Sequence, residues 1–117
     1  MQETIRMRIM LILASHRGRE NAIPRKELAD KLQRFGISID DRKLRAIYAT
    51  LAVASCEDGI FIPRTLAEVE AYREYLRPHM SAEKVQARVT ILTTTLKLAD
   101  AGKQLEMFDG SRAEAQP

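Results

Sequence analysis

The chain has 117 residues, 45% hydrophobic and 30% charged, with a formal net charge of +3. This composition is typical of a globular protein, and no apolar run approaches the roughly 20 residues that a membrane-spanning helix needs. We therefore expect no membrane association. The single Cys56 excludes an internal disulfide and indicates a reducing, cytoplasmic compartment. With only two histidines besides it, we expect no metal and no cofactor.

The basic side chains are concentrated in the first half of the chain. Residues 1–64 carry 12 Lys and Arg against 8 Asp and Glu, whereas residues 65–117 carry 7 against 8. This asymmetry indicates a polyanionic partner for the N-terminal half. The excess is modest, so the position of these charges on the predicted elements matters more than their number.

Apolar periodicity predicts two helices before residue 36. Isoleucine and leucine at helical spacing indicate a first helix over residues 3–16, followed by Gly18 as a left-handed cap. Pro24 suits the first turn of a second helix over residues 24–34, which Gly36 ends.

A third helix is predicted over residues 40–54. Asp40 is a favourable N-cap, and the buried stripe consists of Leu44, Ile47, Tyr48 and Leu51. This stripe leaves a basic outer face with small residues, formed by Arg42, Lys43, Arg45, Ala46, Ala49 and Thr50. A face of this kind is usually no more than a solvated surface, so its place in the fold has to support any functional interpretation.

The hydrophobic period then changes to that of short strands. The runs 52–54 and 60–62 are β-compatible and flank the turn residues 57–59, Glu-Asp-Gly. Asp-Gly between two apolar runs is a strong signal for a β-hairpin. Pro63 closes the second strand.

Two further helices are predicted after the hairpin. Thr65 and Glu68 have the spacing of a capping box, and Pro78 must break or kink the helix that they open. Ser81 can cap a new helix that ends at Gly102, with a heptad-like seam formed by Val85, Val89, Leu92, Leu96 and Ala99. Because these apolar side chains need cover beyond what a small domain is bound to supply, we expect a homodimer through residues 82–100.

Three helices followed by a hairpin is the order of a winged helix-turn-helix. In that arrangement the third helix enters the major groove of DNA and the hairpin lies against the adjacent backbone. We predict a mainly α fold with a small β-hairpin wing over residues 1–64, a helical extension over 65–101 and a flexible tail over 102–117. Groove contacts are expected from Arg42, Lys43 and Arg45, close approach from Ala46, Ala49 and Thr50, and phosphate contacts from Arg25, Lys26 and Arg64.

The same segments resemble a known group of proteins. IPRKELADKLQRFGISIDDRKLRAIYATL, VASCEDGIFIP and TLAEVEAYREYLRP are similar to winged-helix proteins encoded by bacteriophages and prophages. The resemblance covers roughly residues 20–109 and implies binding of double-stranded DNA by a bacterial or phage regulator of replication or transcription. Two features depart from the pattern: the turn QRFGISID is longer than in a minimal helix-turn-helix, and Pro78 interrupts a usually continuous helix.

Residues 104–108, QLEMF, resemble the motif by which bacterial replication and repair proteins dock on the DNA polymerase sliding clamp. That motif has the form Gln-Leu-(Ser/Asp)-Leu-Phe, which Gln104, Leu105, Met107 and Phe108 match in kind. The resemblance implies that an extended tail inserts its apolar residues into a groove while Gln104 forms a hydrogen bond. Alternatively, Leu105 and Phe108 fold back onto the protein's own core or onto a dimer partner.

The sequence predicts a protein that is not an enzyme. It contains no phosphate-cradling glycine loop and no metal-ligand spacing, and Cys56 has no evident catalytic base. The leading hypothesis is DNA binding. The alternatives are a protein–protein adaptor or inhibitor that docks on a sliding clamp through residues 104–108, and a structural phage component that only shares the fold.

Overall fold

A computed structural model describes the backbone of residues 2–115 and the side chains of residues 4–102. Its elements, in chain order, are α1 (Gln2–Leu13), a 3-10 turn (Arg19–Asn21), α2 (Arg25–Arg34), α3 (Asp41–Tyr48), β1 (Ala54–Cys56), β2 (Gly59–Phe61), α4 (Leu66–Leu76) and α5 (Ala82–Ala115). The described chain is therefore mainly helical with one small antiparallel hairpin, which confirms the coarse class predicted from the sequence.

The first three helices and one face of the hairpin form a first core. Leu13, Leu28 and Leu44, one from each helix, are fully buried. The segment between α1 and α2 is tied to β2 because the backbone N–H groups of Ile23 and Ile60 each donate to the other's carbonyl at 2.9 Å. Gly59 has φ 134° and lies so close to the Ile23 carbonyl that a Cβ atom would overlap it, so this junction requires glycine.

The hairpin separates this core from a second one. Successive side chains of a strand point to opposite faces, so Ile60 enters the first core and Phe61 the second. The second core is completed by Ala54, the Cα partner of Phe61, and by one face each of α4 and α5. The buried faces of α4 and of the first part of α5 are therefore packed on the hairpin itself.

The predicted interruption at Pro78 is confirmed. The capping box is formed, since Glu68 N–H donates to Thr65 Oγ1 and Thr65 N–H donates to Glu68 Oε1, both at 3.2 Å. The helix that it opens ends at Leu76, and α5 begins at Ala82. The Oγ of Ser81 accepts from Lys84 N–H at 3.4 Å, as expected of a residue that caps the new helix.

Three predicted helix ends are wrong. The first helix ends at Leu13, and Gly18 combines φ 86° with an extended ψ of 149° at the start of the 3-10 turn, so it is not a left-handed cap. The third helix ends at Tyr48 rather than 54, because Thr50 Oγ1 donates to the Ile47 carbonyl at 2.8 Å in a turn that leads into β1. At the other end of the chain, α5 continues through Gly102 to Ala115.

The seam of α5 is covered within the chain. Val85, Val89 and Leu92 are only 4%, 2% and 2% exposed and pack in the second core against α4 and Phe61. The prediction of a homodimer through residues 82–100 depended on these side chains lacking cover, so the structure removes the reason for it. Within residues 2–115, no helix is both long and apolar enough to cross a membrane.

Candidate nucleic-acid interface

The position of α3 is fixed by its buried face and by its cap. Leu44 and Tyr48 are buried against α1 and α2, and Asp40 Oδ1 accepts from Lys43 N–H at 2.7 Å. Ile47 and Leu51 are half-buried and pack against the same core, so the predicted cap and the predicted stripe are both correct. This anchoring turns the opposite face of the helix to solvent.

Most of the residues predicted to contact the groove lie on that outer face. Arg42, Lys43, Arg45 and Ala46 are exposed, whereas Ala49 is half-buried. Thr50 is exposed but follows the end of the helix, and its hydroxyl also accepts from the Arg6 guanidinium. Only the first four of these six residues thus form a helical surface that a ligand could approach.

The residues predicted to contact phosphates are partly engaged in ion pairs. Arg25 Nε lies 2.5 Å from Asp41 Oδ1, while Arg45 Nε lies 3.2 Å from Asp41 Oδ2. The Tyr48 hydroxyl, and secondarily Asp41, raise the pKa of Arg25, which stays cationic. Arg64 pairs with Glu20, and Lys26 is exposed without an ion pair among the described side chains. Such exposed pairs contribute only about 0–1 kcal/mol, so a phosphate can replace the carboxylate.

The tip of the hairpin is acidic. Its turn residues Glu57 and Asp58 are both exposed. Two carboxylates at this position would repel the phosphates of a DNA backbone. The expectation that the hairpin lies against the DNA backbone therefore has no electrostatic support at its tip.

The outer face of α3 borders a cleft that sequence reasoning did not find. Arg42 and Arg45 of α3, Tyr75 of α4, His79 of the following loop and Arg88 of α5 line this cavity of about 400 Å³. No Asp or Glu is among the described residues that line it. We call it the cationic cleft.

Arg88 was missed because it lies on α5 between two residues of the heptad-like seam, in a segment that the sequence assigns to packing. A charged residue directly before the buried Val89 was the available signal. Its NH1 donates to the hydroxyl of the buried Tyr72 at 3.4 Å, and the residue as a whole is half-buried. The fold therefore holds this arginine close to α3, although the end of α3 lies 40 residues before it in sequence.

A second cavity lies on the other side of Ser55 and Tyr75, which line both. It has a volume of about 280 Å³ and is lined by Glu57, Glu68 and Glu74 together with Arg19. We call it the acidic cleft.

Glu68 in the acidic cleft is saturated with backbone hydrogen bonds. Its carboxylate accepts from Arg64 N–H at 2.7 Å, Thr65 N–H at 3.2 Å and Arg19 N–H at 2.5 Å. Burial alone would raise the pKa of Glu68, but these three donors outweigh it and lower the pKa below its ordinary value. Glu68 therefore has a structural role, joining the start of α4 to the 3-10 turn.

The side chains of Gln104, Leu105, Met107 and Phe108 lie outside the described residues. The backbone of this segment is helical as part of α5, whereas the sequence predicts a flexible, extended tail. Among residues with described side chains, no group of His, Cys, Asp and Glu could hold a metal ion.

Compared with models of protein families, with curated proteins and with solved structures, the chain matches none of them. A functional proposal therefore has to stand on the residues of the chain itself.

Proposed function

We propose that the chain binds double-stranded DNA through α3, in the manner of a phage or prophage regulator of replication or transcription. The observation that carries this proposal is the open basic surface at the start of α3. Arg42 and Lys43 are exposed there and form no salt bridge among the described side chains. Unpaired arginine and lysine on an exposed helix are well suited to base edges and phosphates.

The order of the elements also supports the proposal. A helix that rests on two others and is followed by a hairpin is the arrangement in which winged helices present their recognition helix. The exposed Ala46, one turn after Arg42, leaves room for close approach to a groove. Because the hairpin tip is acidic, the proposed backbone contacts come from Lys26 and Arg25 at the start of α2 and from Arg64 near the base of the hairpin.

Fluorescence anisotropy with a labelled random-sequence duplex tests this function. Affinity should fall steeply between about 50 and 200 mM salt, because each phosphate contact releases counterions. Lys43→Glu should weaken binding by roughly tenfold or more, since it replaces a phosphate-binding charge with a repulsive one. Lys97→Glu is the matched control, with the same change of charge on an exposed site of α5 that borders a different cleft.

Equal effects of Lys43→Glu and Lys97→Glu would contradict the proposal, because binding would then follow net charge alone. Absence of binding at low salt would contradict it as well. The variants are compared after thermal denaturation has confirmed that both remain folded.

Docking on a sliding clamp through residues 104–108 is the alternative proposal, and it is supported by the distal part of α5. Leu98 is 69% exposed, and residues 97–102 are all exposed, so this end of the helix gains no stability from packing in the described structure. In proteins, most helical stability comes from tertiary packing of an apolar face rather than from intrinsic propensity. The motif can therefore become extended in a groove at low cost. Truncation after Ala101 should abolish clamp binding and spare duplex binding, whereas the reverse would favour a tail that binds DNA.

A further inference from the structure

The cationic cleft gathers positive charge from distant parts of the chain. Arg42 and Arg45 come from α3, and Arg88 comes from α5. Three arginines converge on one cavity with no carboxylate in its described lining, and among them only Arg45 is paired with a described carboxylate, that of Asp41. An anion in the cavity would offset the mutual repulsion of these charges. A concave surface of a single sign also concentrates its field on the ligand. The arrangement is therefore that of an anion-binding site.

These three arginines keep unused hydrogen-bond donors. Each guanidinium has five N–H groups. Arg45 contacts Asp41 through Nε, Arg88 contacts Tyr72 through NH1, and Arg42 makes no side-chain hydrogen bond to the described residues. The remaining N–H groups match the several acceptor oxygens of a phosphate, which arginine binds in pairs.

The other wall of the cleft is aromatic and apolar. Tyr75 is 39% exposed, and its ring centre lies 6.2 Å from that of His79 at an angle of 58°. Leu76 and Met80 continue this wall. Nucleobases stack on tyrosine, histidine and arginine side chains, whereas an inorganic anion would leave the aromatic wall unused. The volume of about 400 Å³ lies within the range of small-ligand sites.

We propose that the cationic cleft binds a nucleotide, with its phosphate on Arg42, Arg45 and Arg88 and its base against Tyr75 and His79. The ligand chemistry is a phosphomonoester on a nucleoside, which a free mononucleotide and the 5′-phosphorylated end of a strand both present. The site shares Arg42 and Arg45 with the proposed duplex interface but does not depend on duplex binding, because Arg88, Tyr75 and His79 lie outside α3.

Calorimetric titration of the full-length protein with AMP, adenosine and inorganic phosphate tests the site. AMP should bind at least about tenfold more tightly than adenosine, because charge-assisted hydrogen bonds to phosphate contribute most of the affinity. AMP should also bind more tightly than phosphate alone, through stacking of the base. If AMP binds no better than adenosine, the proposal is overturned.

A second pair of probes distinguishes a free mononucleotide from the 5′-phosphorylated end of a strand. A single-stranded hexanucleotide with a 5′ phosphate is compared with the same strand without it. If the phosphorylated strand binds more tightly than both the unphosphorylated strand and AMP, the ligand is a strand end. Tighter binding of AMP identifies a free nucleotide.

Arg88→Gln should weaken AMP binding by about tenfold or more. Arg73→Gln is its matched control, because Arg73 is half-buried on α4 but borders a different cleft. If both variants bind AMP as the wild type does, the assignment to this cleft is wrong. Should Arg88→Gln fail to fold, Tyr75→Leu replaces it, with AMP binding weakened several-fold and phosphate binding unchanged.

Failure of the nucleotide proposal can be distinguished from failure of the duplex proposal, because the two experiments change different residues. Lys43 does not line the cationic cleft, and Arg88 does not lie on α3. Loss of duplex binding in Lys43→Glu with AMP binding intact would establish two separable functions. Binding of AMP by a protein that ignores duplex DNA would support the nucleotide site and refute the duplex proposal.

Discussion

The two clefts on either side of Ser55 and Tyr75 share these two lining residues and are opposite in charge. In the acidic cleft, Glu68 accepts three backbone hydrogen bonds and joins two elements of the fold. In the cationic cleft, Arg42 has no hydrogen-bond or ion-pair partner among the described side chains. A cluster of charged residues therefore indicates a binding site only where its members are not already engaged in hydrogen bonds or ion pairs that hold the fold together.

The second core, which borders the acidic cleft through Phe61, should be the part of the molecule most sensitive to substitution. Phe61 is 2% exposed in the second core and also lines the acidic cleft. Phe61→Ala should cost about 3–5 kcal/mol of unfolding free energy, from lost burial and the cavity left behind. Urea denaturation measures this loss, and Leu66→Ala at a 55% exposed position serves as control, with a change within about 0.5 kcal/mol. A small effect of Phe61→Ala would contradict the packing of α4 and α5 on the hairpin.

The next largest loss of stability is expected when the hydrogen bonds of the Glu68 carboxylate are weakened. Glu68→Gln should lower stability by about 1–2 kcal/mol at neutral pH, since a neutral amide is a weaker acceptor for its three donors.

This effect should depend on pH with a definite sign. Burial opposes ionisation, but the backbone donors prevail and hold the pKa of Glu68 below its ordinary 4.5 in the folded state. The carboxylate therefore stabilises the fold above that pH, and this contribution is lost as the pH falls through the lowered folded pKa. Thermal denaturation at a series of pH values should show the wild type converging on Glu68→Gln in acid. A constant difference between the two would show that ionisation is irrelevant.

The two proposed ligands should compete, because Arg42 and Arg45 belong to both the cationic cleft and the outer face of α3. With AMP at about ten times its dissociation constant, the apparent affinity for duplex should fall by roughly tenfold. Anisotropy of the labelled duplex during an AMP titration measures this. Duplex binding that is indifferent to saturating AMP would place the duplex elsewhere, and adenosine controls for effects of the base alone.

The smallest effect on stability is expected for Glu74, which lines the acidic cleft but forms only an exposed ion pair. Glu74 pairs with Arg77 at 3.3 Å, and both side chains are largely exposed. Glu74→Gln should change stability by less than about 0.5 kcal/mol and leave AMP binding unaltered within error. A loss comparable to that of Glu68→Gln would show that the carboxylates of this cleft act together.

Local signals in the sequence predicted the elements whose cause is local. The Asp40 cap, the capping box of Thr65 and Glu68, the hairpin and the interruption at Pro78 are all present. Each depends on residues within a few positions of one another, where turn chemistry and capping decide the conformation.

Features that depend on tertiary packing were not predicted. The seam of α5 looked uncovered because its cover, α4 and Phe61, is recognisable only once the hairpin separates two cores. The cationic cleft escaped notice for the same reason, since Arg88 meets α3 only through that packing. Of the candidate site, the exposed start of α3 was predictable from the sequence, whereas its surroundings were not.

The most direct test of the central claim is an amide-resolved NMR titration of the full-length protein with a short duplex. The account predicts the largest shift changes at residues 41–46 of α3 and smaller ones at the start of α2. Changes confined to residues 104–108, or to the acidic cleft around Glu57 and Glu74, would contradict DNA binding by α3.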